Sequence, residues 1–172
     1  MQNKLKSIIN AYEKRNYSEA QRICKELTNK IYYKPGSGDP FWQNSAMSLV
    51  NALILAIADK TSEECKTVDE VIYMLKNKSI KTYKEKTVED LEKEKEEIKL
   101  SITLNKIIDI LSKGFKEDDF GINELDKYFF NLEPKKAAIE EYVASSFDKR
   151  AIRSGVLSTA ISELRKYTNY TE

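Results

Sequence analysis

Hydrophobic residues recur along this chain at three- and four-residue intervals, the spacing that places them on one face of an α-helix. The stretch Asp39 to Lys60, DPFWQNSAMSLVNALILAIADK, dominates the pattern. Asp39 predicts an N-cap, because its carboxylate accepts orphan backbone N–H groups, and Pro40 suits the first helical position, where a missing donor costs nothing. Trp42, Ala46, Leu49, Val50, Leu53 and Ile57 then share one face, and Phe41, Met47, Ile54 and Leu55 widen the stripe. A helix apolar over most of its circumference belongs in the middle of a bundle. Ser48 and Asn51 interrupt the run, and it falls short of the ~20 apolar residues needed to cross a bilayer. A central helix over about 39–60 is therefore expected, with Asp39, Pro40, Phe41, Trp42, Leu49, Leu53 and Ile57 as its structural core.

Shorter amphipathic segments surround it in sequence. Leu5, Ile8, Ile9 and Tyr12 predict a first helix ending near Arg15 and Asn16, and Ala20, Ile23, Cys24, Leu27 and Ile31 a second beginning at Ser18, where Ser18 and Gln21 have capping-box spacing. The phrase AYEKRNYSEAQRI resembles half of a tetratricopeptide unit, but the roughly 34-residue recurrence of such arrays is missing. KPGSG, residues 34–38, reads as a turn into the central helix, with Tyr32 and Tyr33 packed against that helix. After Lys60, TSEECKT reads as a loop, and Thr67 with Glu70 opens a helix bearing Val68, Val71, Ile72 and Leu75. Residues 78–99 are rich in charge and poor in apolar positions, which predicts a solvated excursion, part loop and part exposed helix. Periodicity returns with Leu100, Leu104, Ile107, Ile108 and Leu111, stopping at Gly114. It continues through Ile122, Leu125, Phe129 and Leu132, then Ile139, Tyr142, Val143 and Phe147 from Pro134 onward, and finally Ile152, Val156, Leu157, Ala160, Ile161 and Leu164. Gly155, inside the last pattern, costs ~1 kcal/mol relative to alanine and implies close approach of a neighbouring helix.

The 172 residues suit one domain, and only three prolines and five glycines punctuate it. The expected fold is all-α, a single bundle of about eight helices. Net charge is +1, but unevenly spread: residues 1–35 carry 8 Lys/Arg against 3 Asp/Glu, residues 36–142 carry 16 against 22, and residues 143–166 carry 5 against 2. The ends are basic and the middle is acidic. Cys24 and Cys65 match no metal or redox spacing, which suits a reduced compartment, and Cys24 lies on an apolar helical face. The N-terminus has no long apolar core and does not read as a signal peptide or anchor.

The chain contains no histidine, so the usual neutral-pH acid-base group and the commonest metal ligand are missing. Neither a nucleophile elbow nor a Walker A loop occurs, and the KPGSG turn lacks the Lys and Ser/Thr of a nucleotide loop. Catalysis, cofactors and metals are therefore not expected of this chain, and binding is the default function.

The run YYKPGSGDPFWQNSAMSLVNALILA resembles a signature in the all-alpha domain of type IV secretion coupling proteins, the TraG/TraD-like conjugative DNA-transfer ATPases, here of the Gram-positive type. GINELDKYFFNLEPKKAAIEEYVAS and SSFDKRAIRSGVLSTAISELRKYTN are similar to two later segments of that domain, and residues 61–117 are the least distinctive. The resemblance implies a helical domain inserted in a membrane-anchored, hexameric ATPase, with residues 1–172 as that domain alone, lacking Walker motifs, on the cytoplasmic side of the membrane. It implies a docking role for relaxase, its DNA and accessory relaxosome proteins. Combined with the charge distribution, it places Lys34, Lys149, Arg150 and Arg153 near single-stranded DNA or the ATPase domain and the acidic middle outward, toward basic protein partners. The competing expectations are a single-stranded DNA-binding module and a structural spacer between motor subunits.

Overall fold

A computed structural model describes residues 1–36, 39–78 and 81–168. Among these the chain is an all-α helical bundle: α1 (Gln2–Glu13), α2 (Tyr17–Tyr32), α3 (Pro40–Asn77), α4 (Val88–Leu100), α5 (Leu104–Ser112), a 3-10 turn (Lys113–Phe115), α6 (Glu124–Asn131), α7 (Lys136–Ala144) and α8 (Arg150–Thr168). No strand occurs among the described residues; two isolated antiparallel bridges pair Tyr83 with Lys86 and Glu117 with Asn123. Helix α3 runs through the middle and touches α1, α2, α4, α5, α7 and α8.

The entry to α3 follows from sequence chemistry: Asp39 accepts the Phe41 N–H at 2.9 Å, with Pro40 in the first turn. From Ser45 to Asp59, nearly every side chain is buried. By length and apolarity alone α3 could cross a bilayer, and 67% of its most apolar window is enclosed by the bundle. The expected framework divides in two. Leu49, Leu53 and Ile57 are core, whereas Asp39, Pro40 and Phe41 are exposed at the rim and Trp42 is half-buried. Their work is to cap and seat the helix end. Trp42 lies edge-on to Phe41 and presses against Gly155 of α8, where an added Cβ would stand 2.7 Å from Cη2 of the indole. The close approach expected at Gly155 is thus made by a side chain of the central helix.

Helix α3 does not end near Lys60. It continues for 38 residues, roughly 57 Å, because the supposed loop TSEECKT packs as helix. Thr61, Ser62 and Cys65 are buried, Ser62 returns its hydroxyl to the Asp59 carbonyl, and Thr67 donates to the Glu63 carbonyl rather than capping a new helix. Residues that favour caps are here satisfied within the helix and held by packing. The charged stretch 78–99 is, over most of its described residues, exposed loop and helix as expected, but one face of that helix is docked. Helix α4 starts with a full capping box between Thr87 and Asp90 and lays Leu91 on Ile72 and Leu75 of α3, forming a small second core. Two lysines lock it down: Lys95 pairs with Glu13 and Asp69, and Lys99, buried, reaches Glu13 at 2.7 Å and Asn10 at 2.9 Å. Ser79 and Ile80, like Ser37 and Gly38 of the expected KPGSG turn, lie outside the described residues.

Other ends differ from expectation for local reasons. Helix α1 closes with paired bonds from Arg15 to Tyr12 and from Asn16 to Ala11, a Schellman arrangement with Arg15 at φ 56°. Asn16, not Ser18, then caps α2 by accepting the Glu19 N–H. Gly114 sits in the 3-10 turn rather than at a helix stop, where an added Cβ would stand 2.8 Å from Leu157 of α8. Tyr32 is buried and donates to the Ala160 carbonyl of α8 at 2.8 Å, while Tyr33 is exposed rather than packed. Leu100, Ile122, Ile139 and Val143, expected on buried faces, are exposed.

Two outcomes check this packing. Gly155→Ala forces a methyl group against the half-buried Trp42 ring, and overpacking of this kind costs about 1–3 kcal/mol in urea unfolding despite alanine's better helix propensity. Burial opposes ionisation of Glu13, but hydrogen bonds from Lys99 and Lys95 outweigh it and hold its carboxyl below the ordinary value of 4.5. A folded-state value below the unfolded one stabilises above the unfolded value and is lost as pH falls through the folded one. Acidification below about pH 4.5 therefore releases α4, read as faster amide exchange in residues 88–100; Glu13→Gln removes that acid-dependent step.

Candidate docking surface

The four basic residues expected near DNA do not form one patch. Lys34 pairs with Glu163, where burial opposes ionisation but hydrogen bonds from Lys166 and Lys34 keep the carboxyl below its ordinary value. That site lies roughly 20 Å along α8 from Arg150, from the rise of an α-helix. Lys149 is exposed in the turn before α8, beside Arg150.

Arg150 and Arg153 do meet, at Glu117. One turn apart on α8, they reach its two oxygens at 2.9 Å and 3.2 Å. Their situations differ: the Arg150 side chain is 83% exposed, and that of Arg153 is 13% exposed. Arg153 also donates to the Phe147 carbonyl at 3.0 Å, approaches Asp126 at 3.4 Å and packs over the Phe147 ring. Its donors are spent inside the fold, tying α8 to the segment before α6. Asp126 in turn accepts from the Tyr142 hydroxyl, and Tyr142 stacks on Phe129 with ring centroids 4.2 Å apart.

What Glu117 anchors is a tight hairpin, residues 116–124. The Asp118 carboxylate accepts the N–H groups of Phe120 at 2.9 Å and Ile122 at 2.8 Å, and its other oxygen pairs with Lys127 at 2.6 Å. Lys127 and these backbone donors hold the Asp118 carboxyl below its usual value. Asp118 and Ile122 also join through the backbone, as do Glu124 and Lys116. Buried Asn123 closes the base: it caps α6 through the Leu125 N–H and donates to the Gly114 carbonyl at 2.7 Å. The hairpin tip carries Phe120, 88% exposed, flanked by exposed Phe115 and Ile122; Phe130 of α6 and Ile139 and Val143 of α7 are exposed too. Large apolar side chains left in water on a fixed backbone mark interaction surfaces more than isolated ones do.

Periodicity assigns Ile122, Ile139 and Val143 to the interior, whereas the fold leaves all three exposed. The available signal was the run KEDDFGIN, whose Asp and Gly mark a turn with an aromatic between them. Among the described residues no group of three or more His, Cys, Asp or Glu is placed to hold a metal ion. Compared with family models, with curated proteins and with solved structures, the chain matches none.

Replacing each arginine separates anchoring from surface charge. Arg153→Ala leaves Glu117 and Asp126 partly buried without their shared partner, which costs about 1–3 kcal/mol in thermal or urea unfolding. Arg150→Ala stays within about 0.5 kcal/mol of the parent.

Proposed function

We propose that this chain is a protein-docking module, the all-alpha domain with which a type IV secretion coupling protein receives its transfer substrates. The observation that carries the docking part is the exposed Phe120 and Ile122, presented on a hairpin that Asp118, Asn123 and the Arg153–Glu117 pair hold fixed, with Phe115 exposed at its base. Pre-organisation of this kind lowers the ordering cost of association. Aromatic residues, phenylalanine among them, are enriched in protein interfaces relative to the rest of the surface. The parentage rests on the resemblance of YYKPGSGDPFWQNSAMSLVNALILA and the two later segments, and it makes relaxase and accessory relaxosome proteins the partners to test.

Single-stranded DNA binding is the second reading, and the outward-facing Lys149 and Arg150 favour it. Two surface cations bound to few phosphates give weak, strongly salt-dependent affinity. The domain is expected to retain relaxase or an accessory protein in pull-down at physiological salt, and Phe120→Ser to reduce retention at least tenfold with no change in the unfolding midpoint. Single-strand affinity is expected to stay weaker than micromolar. Submicromolar binding abolished by Arg150→Ala, with unaltered capture by Phe120→Ser, reverses the ranking. No retained partner, together with loss of hexamer assembly when the domain is deleted from the full protein, assigns it the role of spacer.

A further inference from the structure

A second surface lies on the other side of α7. Helices α2 and α7 stand apart over α3 and leave a cleft of 460 Å³, floored by Met47, Ser48 and Asn51. It runs into a second hollow of 500 Å³ across shared residues Gln21, Ala137 and Glu140, and Tyr12 and Tyr17 line the far end.

The charges in this cleft are unequal in a way that matters. Glu141 is held in its wall with a side chain 16% exposed, and its nearest cation, Lys25, is 61% exposed and 3.3 Å away. Beneath it the Asn51 carboxamide, almost wholly buried, accepts from Thr28 at 2.8 Å and from the Cys24 thiol at 3.3 Å. Those two bonds orient the amide nitrogen toward Glu141, which it meets only at 3.5 Å. The carboxylate is thus shielded, yet its two partners are an exposed lysine at 3.3 Å and an amide at the long distance of 3.5 Å. A shielded anion with a weak, exchangeable counterion accepts a better-matched cation.

The opposite end of the hollow shows a carboxylate with a closer counterion. Lys135 donates to buried Asp59 at 2.7 Å and lies 4.9 Å from the Tyr17 ring centroid and 5.9 Å from that of Tyr12. That cation is paired with a carboxylate buried to 8% exposure and lies near two aromatic faces, so the anion at this end has a close partner.

We propose that the Glu141 end of this cleft is a socket for an arginine side chain presented by a partner protein, and that Lys25 occupies it in the unbound state. Arginine fits better than lysine. Its planar fork can engage Glu141 while remaining N–H groups reach Glu140 or the amide oxygens of Gln21 and Asn29, and its flat face can rest on Met47 and the neighbouring alanines. The inference rests on the reading of this chain as a docking module and adds a second, charge-selective point of contact to the Phe120 surface.

The test is titration of the intact 172-residue chain with N-acetyl-arginine methylamide, followed by amide NMR. Saturable, millimolar shifts are expected in the Asn51 side-chain amide, Gln21 and Asn29, with N-acetyl-lysine methylamide at least threefold weaker. Glu141→Gln, which keeps the shape and the contact with Asn51, is expected to remove the response. Lys25→Ala is expected to tighten binding three- to tenfold, because the resident counterion is gone. Shifts that persist in Glu141→Gln, a lysine probe equal to the arginine probe, or weaker binding in Lys25→Ala each overturn the proposal. These results are independent of partner capture through Phe120: if capture survives Glu141→Gln and fails in Phe120→Ser, the socket is wrong and the docking reading stands.

Discussion

The seating of one long helix governs this molecule. Helix α3 is buried almost all round over Ser45–Asp59, so no neighbour can be moved without exposing part of it. Trp42 fixes the helix at its start by lying in the space that Gly155 leaves on α8. Farther along, buried Asn51 and Asp59 are each paired outward: Asn51 with Thr28, Cys24 and Glu141, Asp59 with Lys135. Buried polar groups held this way fix rotational register as well as position, because only one rotation of α3 aims each at its partner. Beyond Asp59 the same helix leaves the main core and carries α4, through a small apolar contact and the Lys95–Asp69 pair, while Glu13 of α1 ties α4 down through Lys95 and Lys99.

From this follows a division of labour between the two halves of the chain. The first half builds the framework. The later stretch from Gly114 to Arg153 is a series of short elements tied by single side chains: Asn123 bridging turn and helix, Glu117 gripped by two arginines, Tyr142 stacked on Phe129 and donating its hydroxyl to Asp126. Short elements bury little area each, so they depend on such ties and expose apolar groups that a longer helix would cover.

Much of the architecture is legible in the sequence, and the illegible parts share a cause. Asp39 and Pro40 mark the start of α3, the three- and four-residue spacing identifies most helices, and Gly155 betrays a close neighbour. The continuation of α3 through TSEECKT is hidden because threonine and serine favour caps locally, and only the burial of Cys65 and its neighbours decides for helix. Helix α4 looks solvated because its apolar positions are few; its anchors are charges whose partner, Glu13, lies over 80 residues away in the chain. The same holds for Arg153, which reads as a free cation until the fold brings Glu117 and Asp126 to it. At the candidate surface the helical spacing of Ile139 and Val143 signals burial, and nothing local says that their side of α7 faces out. Helical periodicity reports that a face is apolar; it does not report whether the fold or a partner covers it.

The central claim is that this bundle receives protein through the hairpin tip. If the proposed parentage holds, the most direct measurement is photo-crosslinking in donor cells from a benzophenone amino acid replacing Phe120 of this chain within its coupling protein. Covalent adducts with a relaxase or accessory protein, lost when that protein is deleted, are the predicted result. Adducts with nucleic acid alone, or with neighbouring motor subunits alone, would contradict it.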